Sequence, residues 1–236
     1  MTDDTTPNTA PVEGLPLVHL VRPPLAPSEP GTRPPLLALA HGVGSNERDL
    51  FGLAPQLDPR CVVVSVRAPL TRAPDAYAWF NVEFTPQGPV IAPEQLDASR
   101  VTYAEFVGAA ISAYGADPAR VYTLGFSQGA IISLVTALTH PKLFAGVIAL
   151  AGRIPPEAVP WLAAPDETAG LPVFMAHGTR DTIIRVEEAR TARDVLQRQR
   201  VDLTYTEYPI EHRITPQMFA EMTAWLGQRL DGAAGQ

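Results

Sequence analysis

Residues 120–140, RVYTLGFSQGAIISLVTALTH, hold a serine between two glycines, with a β-branched and aromatic run leading in and an apolar run leading out. The part up to Phe126 reads as a strand buried on both faces. The part after it is apolar almost all round and stops before Pro141, as a helix covered by other elements does. A strand that turns directly into a helix leaves Ser127 at the tip of the turn. Glycines at 125 and 129 have a steric reason there, because strand and helix close around such a turn only if its neighbours are small. Ser127 is then either the cap of an ordinary helix or a nucleophile, and the rest of the chain must decide between them.

Working outward, four more short runs are apolar throughout: PLLALAH (35–41), CVVVSVR (61–67), FAGVIALAG (144–152) and PVFMAHG (172–178). Uninterrupted apolar strands imply a parallel sheet covered on both faces. LPLVHLVR (15–22) alternates and precedes a Pro-rich stretch, which suits an antiparallel edge strand, and VDLTYTEYP (201–209) alternates too. Helical patterns fall between the strands at 97–115, 127–140, 185–200 and 215–230, the last opening on a Thr cap with Pro in its first turn. The regular alternation predicts an α/β class with a mostly parallel central sheet, helices on both faces and right-handed crossovers.

The 236 residues suit one domain, expected over 15–230, with a disordered tail at 1–14 and a flexible one at 231–236. Hydrophobic residues make up 46% and charged residues 18%, enough apolar material for a doubly covered sheet. A net charge of −7 without a basic block argues against nucleic acid as a partner. The acidic start MTDDTTPNTAPVEG lacks the pattern of a secretory signal, and no apolar run reaches 18 residues, so stable membrane insertion is not expected and a cytoplasmic location is. The single cysteine, Cys61, opens a strand and is expected in the core. The 25 prolines cluster in 22–35, 69–93 and 154–165, which places those stretches outside the central strands.

A nucleophilic serine needs a base and an acid. Where a serine on a strand–turn–helix elbow is the nucleophile, the known chain order is serine, acid, histidine, each partner on a loop after a later strand. Of the five histidines, His19 lies in the edge strand, His41 precedes Ser127, His140 ends the helix that Ser127 opens, and His177 ends a strand before any suitable acid. His212, in YPIEHRITPQ between the last strand and the last helix, remains as the base. Asp181 follows the strand PVFMAHG and is the matching acid. Asp166 precedes that strand, Asp194 is inside a helix, and Asp202 starts a strand at the wrong end of the sheet. A negative intermediate also needs hydrogen-bond donors. Gln128 N–H, directly after the serine, is one, and Val43 N–H, in the His-Gly-Val-Gly break that ends an early strand, is the other. A Gly-x-Gly alone also fits a nucleotide loop, but neither G-x-G-x-x-G nor G-K-[ST] occurs in the chain.

AHGVGSNERDL, GFSQGAIISL, HGTRD and EHRI together resemble the phospholipase/carboxylesterase family of α/β-hydrolases, which includes acyl-protein thioesterases, over about Leu36 to Leu226. The resemblance implies an α/β-hydrolase fold with a sheet of the eight-stranded type and little or no cap. It also implies hydrolysis of carboxylic esters or thioesters without metal or other cofactor. It carries the nucleophile onto Ser127, the acid onto Asp181, the base onto His212 and the oxyanion amides onto Val43 and Gln128. Three positions depart from the family's common pattern: Glu211, Thr182 and Ala130. None removes a reacting atom, and Glu211 is the one that sets a carboxylate next to the base.

The expected reaction is attack by Ser127, with His212 taking and returning the proton and an acyl-enzyme that water then cleaves. The aromatic cluster Tyr77, Trp79, Phe80 and Phe84 lies in a long stretch, 67–95, read as an irregular functional loop. Trp79 and Phe80, with Leu50 and Phe51, are expected to wall an acyl pocket, and Ile183 and Ile184 to reach it beside the acid. The expected partner is a small-molecule ester of short to medium acyl chain. Lysophospholipase, acyl-protein thioesterase, peptidase and lactonase activities use the same triad. A non-catalytic binding protein on this fold, a scaffold acting through its Pro-rich loops and a homodimer are further expectations.

Overall fold

The computed structural model describes residues 12–26, 31–85 and 88–232, with only the backbone course of 84, 85, 88 and 89. Most of the expected tail at 1–14, four residues of the Pro-rich stretch and residues 233–236 fall outside it, as does the side chain of Phe84. Among the described residues there are eleven strands, interspersed with helices. The strands are β1 (His19–Arg22), β2 (Leu36–Ala40), β3 (Val62–Val66), β4 (Leu70–Ala73), β5 (Ala76–Ala78), β6 (Val82–Thr85), β7 (Gly88–Ile91), β8 (Val121–Phe126), β9 (Gly146–Leu150), β10 (Pro172–Gly178) and β11 (Asp202–Tyr208). The helices are α1 (Arg48–Phe51), α2 (Pro93–Ala113), α3 (Gln128–Thr139), α4 (Pro165–Thr168), α5 (Val186–Arg198) and α6 (Pro216–Gly232).

Among the described residues the central sheet has seven strands in the order β1-β3-β2-β8-β9-β10-β11. β1 is antiparallel to β3 and the other pairs are parallel. The chain leaves β2 for β3 on one side and later returns to β8 on the other. The sheet therefore has its topological switch point beside β2, and the loops after β2 and β8 meet there.

Side-chain alternation along the strands sorts the apolar residues into two cores. Leu36, Ala38, Val62, Val64, Val147 and Val173 face α2, α3 and α5. Leu37, Leu39, Val63, Leu124, Ile148 and Phe174 face α1 and α6, where Met218, Met222, Trp225 and Leu226 cover them. Residues 128–138 of α3 are all buried, as the all-round apolar pattern requires. Thr215 Oγ accepts from Met218 N–H at the start of α6.

The structure departs from the expected elements in three places. α2 starts at Pro93, four residues early, because a proline in the first helical turn needs no donor there. Its buried face runs through Leu96, Tyr103, Phe106, Val107 and Ala110, and Val101 points outward. The stretch 67–95 is not irregular, since it folds as two hairpins, β4–β5 and β6–β7. Residues 231 and 232 belong to α6.

Candidate active site

Ser127 sits between β8 and α3 with φ 56° and ψ −119°, a conformation that side chains rarely adopt. The surroundings enforce it. A Cβ on Gly125 would lie 2.2 Å from Gly129 O, and one on Gly129 would lie 1.9 Å from Ala40 O. Both glycines are thus close-approach positions, and Ser127 N–H donates to Leu150 O at 2.9 Å. Ala130 has its methyl against Gly152, at which a Cβ would come within 2.5 Å.

The loops after β10 and β11 are stitched together. Thr179 N–H donates to Tyr208 O (2.7 Å) and Arg180 N–H to Ile210 O (3.0 Å), so the strand pairing runs on past the sheet edge. Asp181 lies in the first of these loops with its carboxyl buried. Its Oδ1 accepts from Ile183 N–H and Ile184 N–H, both at 2.9 Å, and its Oδ2 accepts from His212 Nδ1–H at 2.6 Å. That bond leaves His212 Nε2 as the acceptor, 2.8 Å from Ser127 Oγ. The Phe126 ring packs on the imidazole at 4.9 Å between centroids. Ser127, His212 and Asp181 thus form one hydrogen-bonded chain. Glu211 is exposed and its ion-pair partner is Arg213, at 3.5 Å.

The loop after β2 passes against the serine: a Cβ on Gly42 would lie 3.3 Å from Ser127 Cβ. Among the described residues no carbonyl accepts from Val43 N–H or Gln128 N–H. His41 is buried beneath this loop. Ala68 N–H donates to its Nε2 (3.0 Å) and its Nδ1–H donates to Gly42 O (2.7 Å), which fixes a neutral ring. Burial holds the His41 pKa below the usual histidine range. His177 is also fully buried and donates from Nε2 to Ile184 O at 2.7 Å, beside the Asp181 carboxylate. Both histidines fail as the base because of their chain positions. Their proximity in sequence to His-Gly-Val-Gly and to Asp181 is the signal that they support those loops.

The expected pocket wall is only partly present. A cleft of about 630 Å³ opens beside His212, lined by Leu50, Leu53, Phe126, Ile214 and Phe219 with Asp49, Gln56 and Arg213 among its polar groups. Leu50 lines it, whereas Phe51 packs against the core on the α6 face. Trp79 and Phe80 are 0% and 1% exposed and belong to the opposite core, because apolar rings of that size are worth more covered than lining an open cleft. Ile184 is buried in that core too, and Ile183 is 63% exposed. The part of these two residues that meets the site is their backbone N–H groups. Cys61 is buried and its thiol pKa is pushed up to about 12 by desolvation, which makes it a core residue. Among the described residues no cluster of three His, Cys, Asp or Glu could hold a metal ion, and no helix is long and apolar enough to cross a membrane.

Comparison with known proteins agrees with this architecture. Carboxylesterase SOBER1 of Arabidopsis thaliana is 29% identical over 162 residues, 66% of this chain and 70% of the relative. An acyl-protein thioesterase 1 of Mycosarcoma maydis is 34% identical over 113 residues, 45% of this chain and 47% of the relative, so the match spans about half of that protein. Among solved structures, esterase PE8 superposes with a TM-score of 0.77 at 24% identity, covering 90% of this chain and 98% of the other. The Bacillus cereus carboxylesterase gives 0.75 at 24% identity, covering 90% and 94%. These structural likenesses establish the α/β-hydrolase fold. The phospholipase/carboxylesterase profile matches residues 27–229, and the chain therefore belongs to the phospholipase/carboxylesterase family of carboxylic ester hydrolases.

Proposed function

We infer that this protein is a serine esterase in which Ser127 is the nucleophile, His212 the general base and acid, and Asp181 the group that orients the imidazole. The observation that carries the reading is the unbroken chain of contacts, 2.6 Å from Asp181 Oδ2 to His212 Nδ1 and 2.8 Å from His212 Nε2 to Ser127 Oγ. Ser127 Oγ attacks the ester carbonyl while its proton passes to His212 Nε2. The imidazolium is stabilised by the Asp181 carboxylate, which two amides already hold in place. The tetrahedral oxyanion is received by the Val43 and Gln128 amides. The alkoxide or thiolate leaves with the proton from His212, and water cleaves the acyl-enzyme by the reverse sequence.

The cleft beside His212 suggests the substrate class. Its apolar walls and open mouth suit short to medium acyl chains, as oxygen esters or thioesters. The thioester reading gains support from the fungal acyl-protein thioesterases that match about half of the chain.

Hydrolysis of p-nitrophenyl esters from acetate to palmitate, with the wild type beside Ser127→Ala, tests the reading. The expected outcome is activity peaking at short to medium chains and a loss of about 10⁴-fold or more in kcat for the variant. A folded wild type that neither turns over any ester nor reacts with a fluorophosphonate would overturn it in favour of a binding protein.

A further inference from the structure

We propose that Trp79 is a positioning residue for the oxyanion hole, tying its two amide donors to one rigid group. The inference rests on the esterase reading above and adds to it a role for a side chain that touches no substrate.

The two donors come from separate parts of the chain, Val43 in the loop after β2 and Gln128 at the start of α3. Trp79 is bonded to both parts. Its indole Nε1–H donates to His41 O at 2.9 Å, the carbonyl two residues before Val43. Its backbone N–H donates to Gln128 Oε1 at 2.8 Å, and the same Gln128 side chain donates from Nε2 to Phe80 O at 2.7 Å. The Gln128 amide group is thus held at both its oxygen and its nitrogen by the segment that carries Trp79, and cannot swing without breaking both bonds. Trp79 itself is held from behind, by Ser99 Oγ–H on its carbonyl and by an edge-to-face contact with Tyr103 at 5.3 Å.

The β4–β5 hairpin that delivers Trp79 also braces the Val43 loop directly. Gly44 N–H donates to Tyr77 O and Tyr77 N–H to Ser45 O, both at 2.8 Å, directly after the residue whose amide must point at the substrate. The Glu47–Arg67 pair closes the same loop at 2.7 Å, with the guanidinium over the Tyr77 ring. A tryptophan needed only to fill the core requires apolar neighbours. This one places its single side-chain donor on the backbone of one oxyanion element and its main chain on the side chain of the other. Donors to a developing oxyanion act only when held within a few tenths of an ångström, and small displacements cost large factors in rate. Loosening Trp79 should therefore weaken transition-state binding and leave ground-state binding alone.

Trp79→Phe keeps an aromatic ring and removes the indole N–H together with part of the ring volume. Gln128→Met keeps length and removes both side-chain bonds to the Trp79 segment. For each, kcat and KM on p-nitrophenyl butyrate are measured together with Ki for an alkyl trifluoromethyl ketone. Ser127 Oγ adds to the ketone carbon, its proton passes to His212, and the ketone oxygen becomes the oxyanion. The expected result is a 10- to 100-fold fall in kcat, KM within about twofold of wild type, and a rise in Ki by the same factor as kcat/KM falls. A folded Trp79→Phe protein with wild-type kcat and Ki would overturn the proposal. So would a change confined to KM or to acyl-chain preference, which a pocket wall would give, or failure of both variants to fold, which would assign the tryptophan to the core alone. A wild type that is inactive on the ester and blind to the ketone would instead remove the esterase reading, and this inference with it.

Discussion

Ser127 occupies its positive-φ conformation because Gly125, Gly129 and the Ala40 carbonyl leave no other path for the chain. Such strain is retained only where the surroundings over-determine it. Gly129→Ala forces a Cβ to within 1.9 Å of a backbone oxygen that cannot move aside. The expected cost is about 3 kcal/mol or more in urea unfolding, with loss of activity even in the fraction that folds. A variant of wild-type stability would show that the strand and helix can separate at the elbow. Asp181→Asn removes the charge opposite His212 while the Ile183 and Ile184 amides still have an acceptor. The expected effect is about 10⁴-fold in kcat with little change in unfolding midpoint. Loss of stability in step with activity would mark Asp181 as a structural turn residue. The sequence placed Ser127, Asp181 and His212 by chain order and strand position, and the structure brings those three side chains together. Trp79 was not legible in the same way: an aromatic in a Pro-rich stretch looks alike in sequence whether it walls a pocket or is buried behind one.

At the scale of elements, the hairpin β4–β5 matters most, and the sequence hides it. Two strands of four and three residues with a register shift between Thr71 and Ala73 carry no sustained alternation, so their order comes from what they pair with. Their partner is the loop after β2, locked by the buried Glu47 carboxylate and Arg67. The guanidinium hydrogen bonds lower the Glu47 pKa below the usual carboxylate range. Arg67→Met strips that buried carboxylate of both its guanidinium hydrogen bonds and leaves it only the exposed Arg48, 3.6 Å away, at an expected cost of about 3 kcal/mol in urea unfolding. Adding Glu47→Gln to it should recover a large part of the loss. A single variant as stable as wild type would place the anchor of this loop in the Tyr77 backbone bonds alone. By contrast, α3 was readable because it is long, buried all round and stops before Pro141, and β2, β3, β8, β9 and β10 because each is an unbroken apolar run buried on both faces.

For the whole molecule, two buried rings couple stability to pH. Burial lowers the pKa of both His19, in the edge strand β1, and His41. A histidine whose folded pKa lies below its unfolded value of about 6.5 binds its proton first in the unfolded chain. The stability it contributes is therefore complete above about pH 6.5 and declines as the pH falls below it. Each ring gives a slope of at most about 1.4 kcal/mol per pH unit, levelling off beneath the folded value. Urea midpoints between pH 7.5 and 5.5 should fall accordingly, and a flat profile would mean that the two rings remain free to protonate in the folded protein.

By itself the sequence determined the α/β class, the strands of the parallel sheet, the antiparallel edge and the identity of the three residues now found in contact. Each depends on local information: period, caps, glycine at a tight turn, and the order of loops along a sheet whose connections have one hand. Only the tertiary structure decided which side of the sheet each aromatic joins, that β4–β5 braces the Val43 loop, and that the cleft is walled by Leu53, Ile214 and Phe219 instead of Trp79 and Phe80. Those outcomes depend on which of several apolar surfaces come together, and that is settled by packing among residues distant in the chain, for which composition and spacing hold no record.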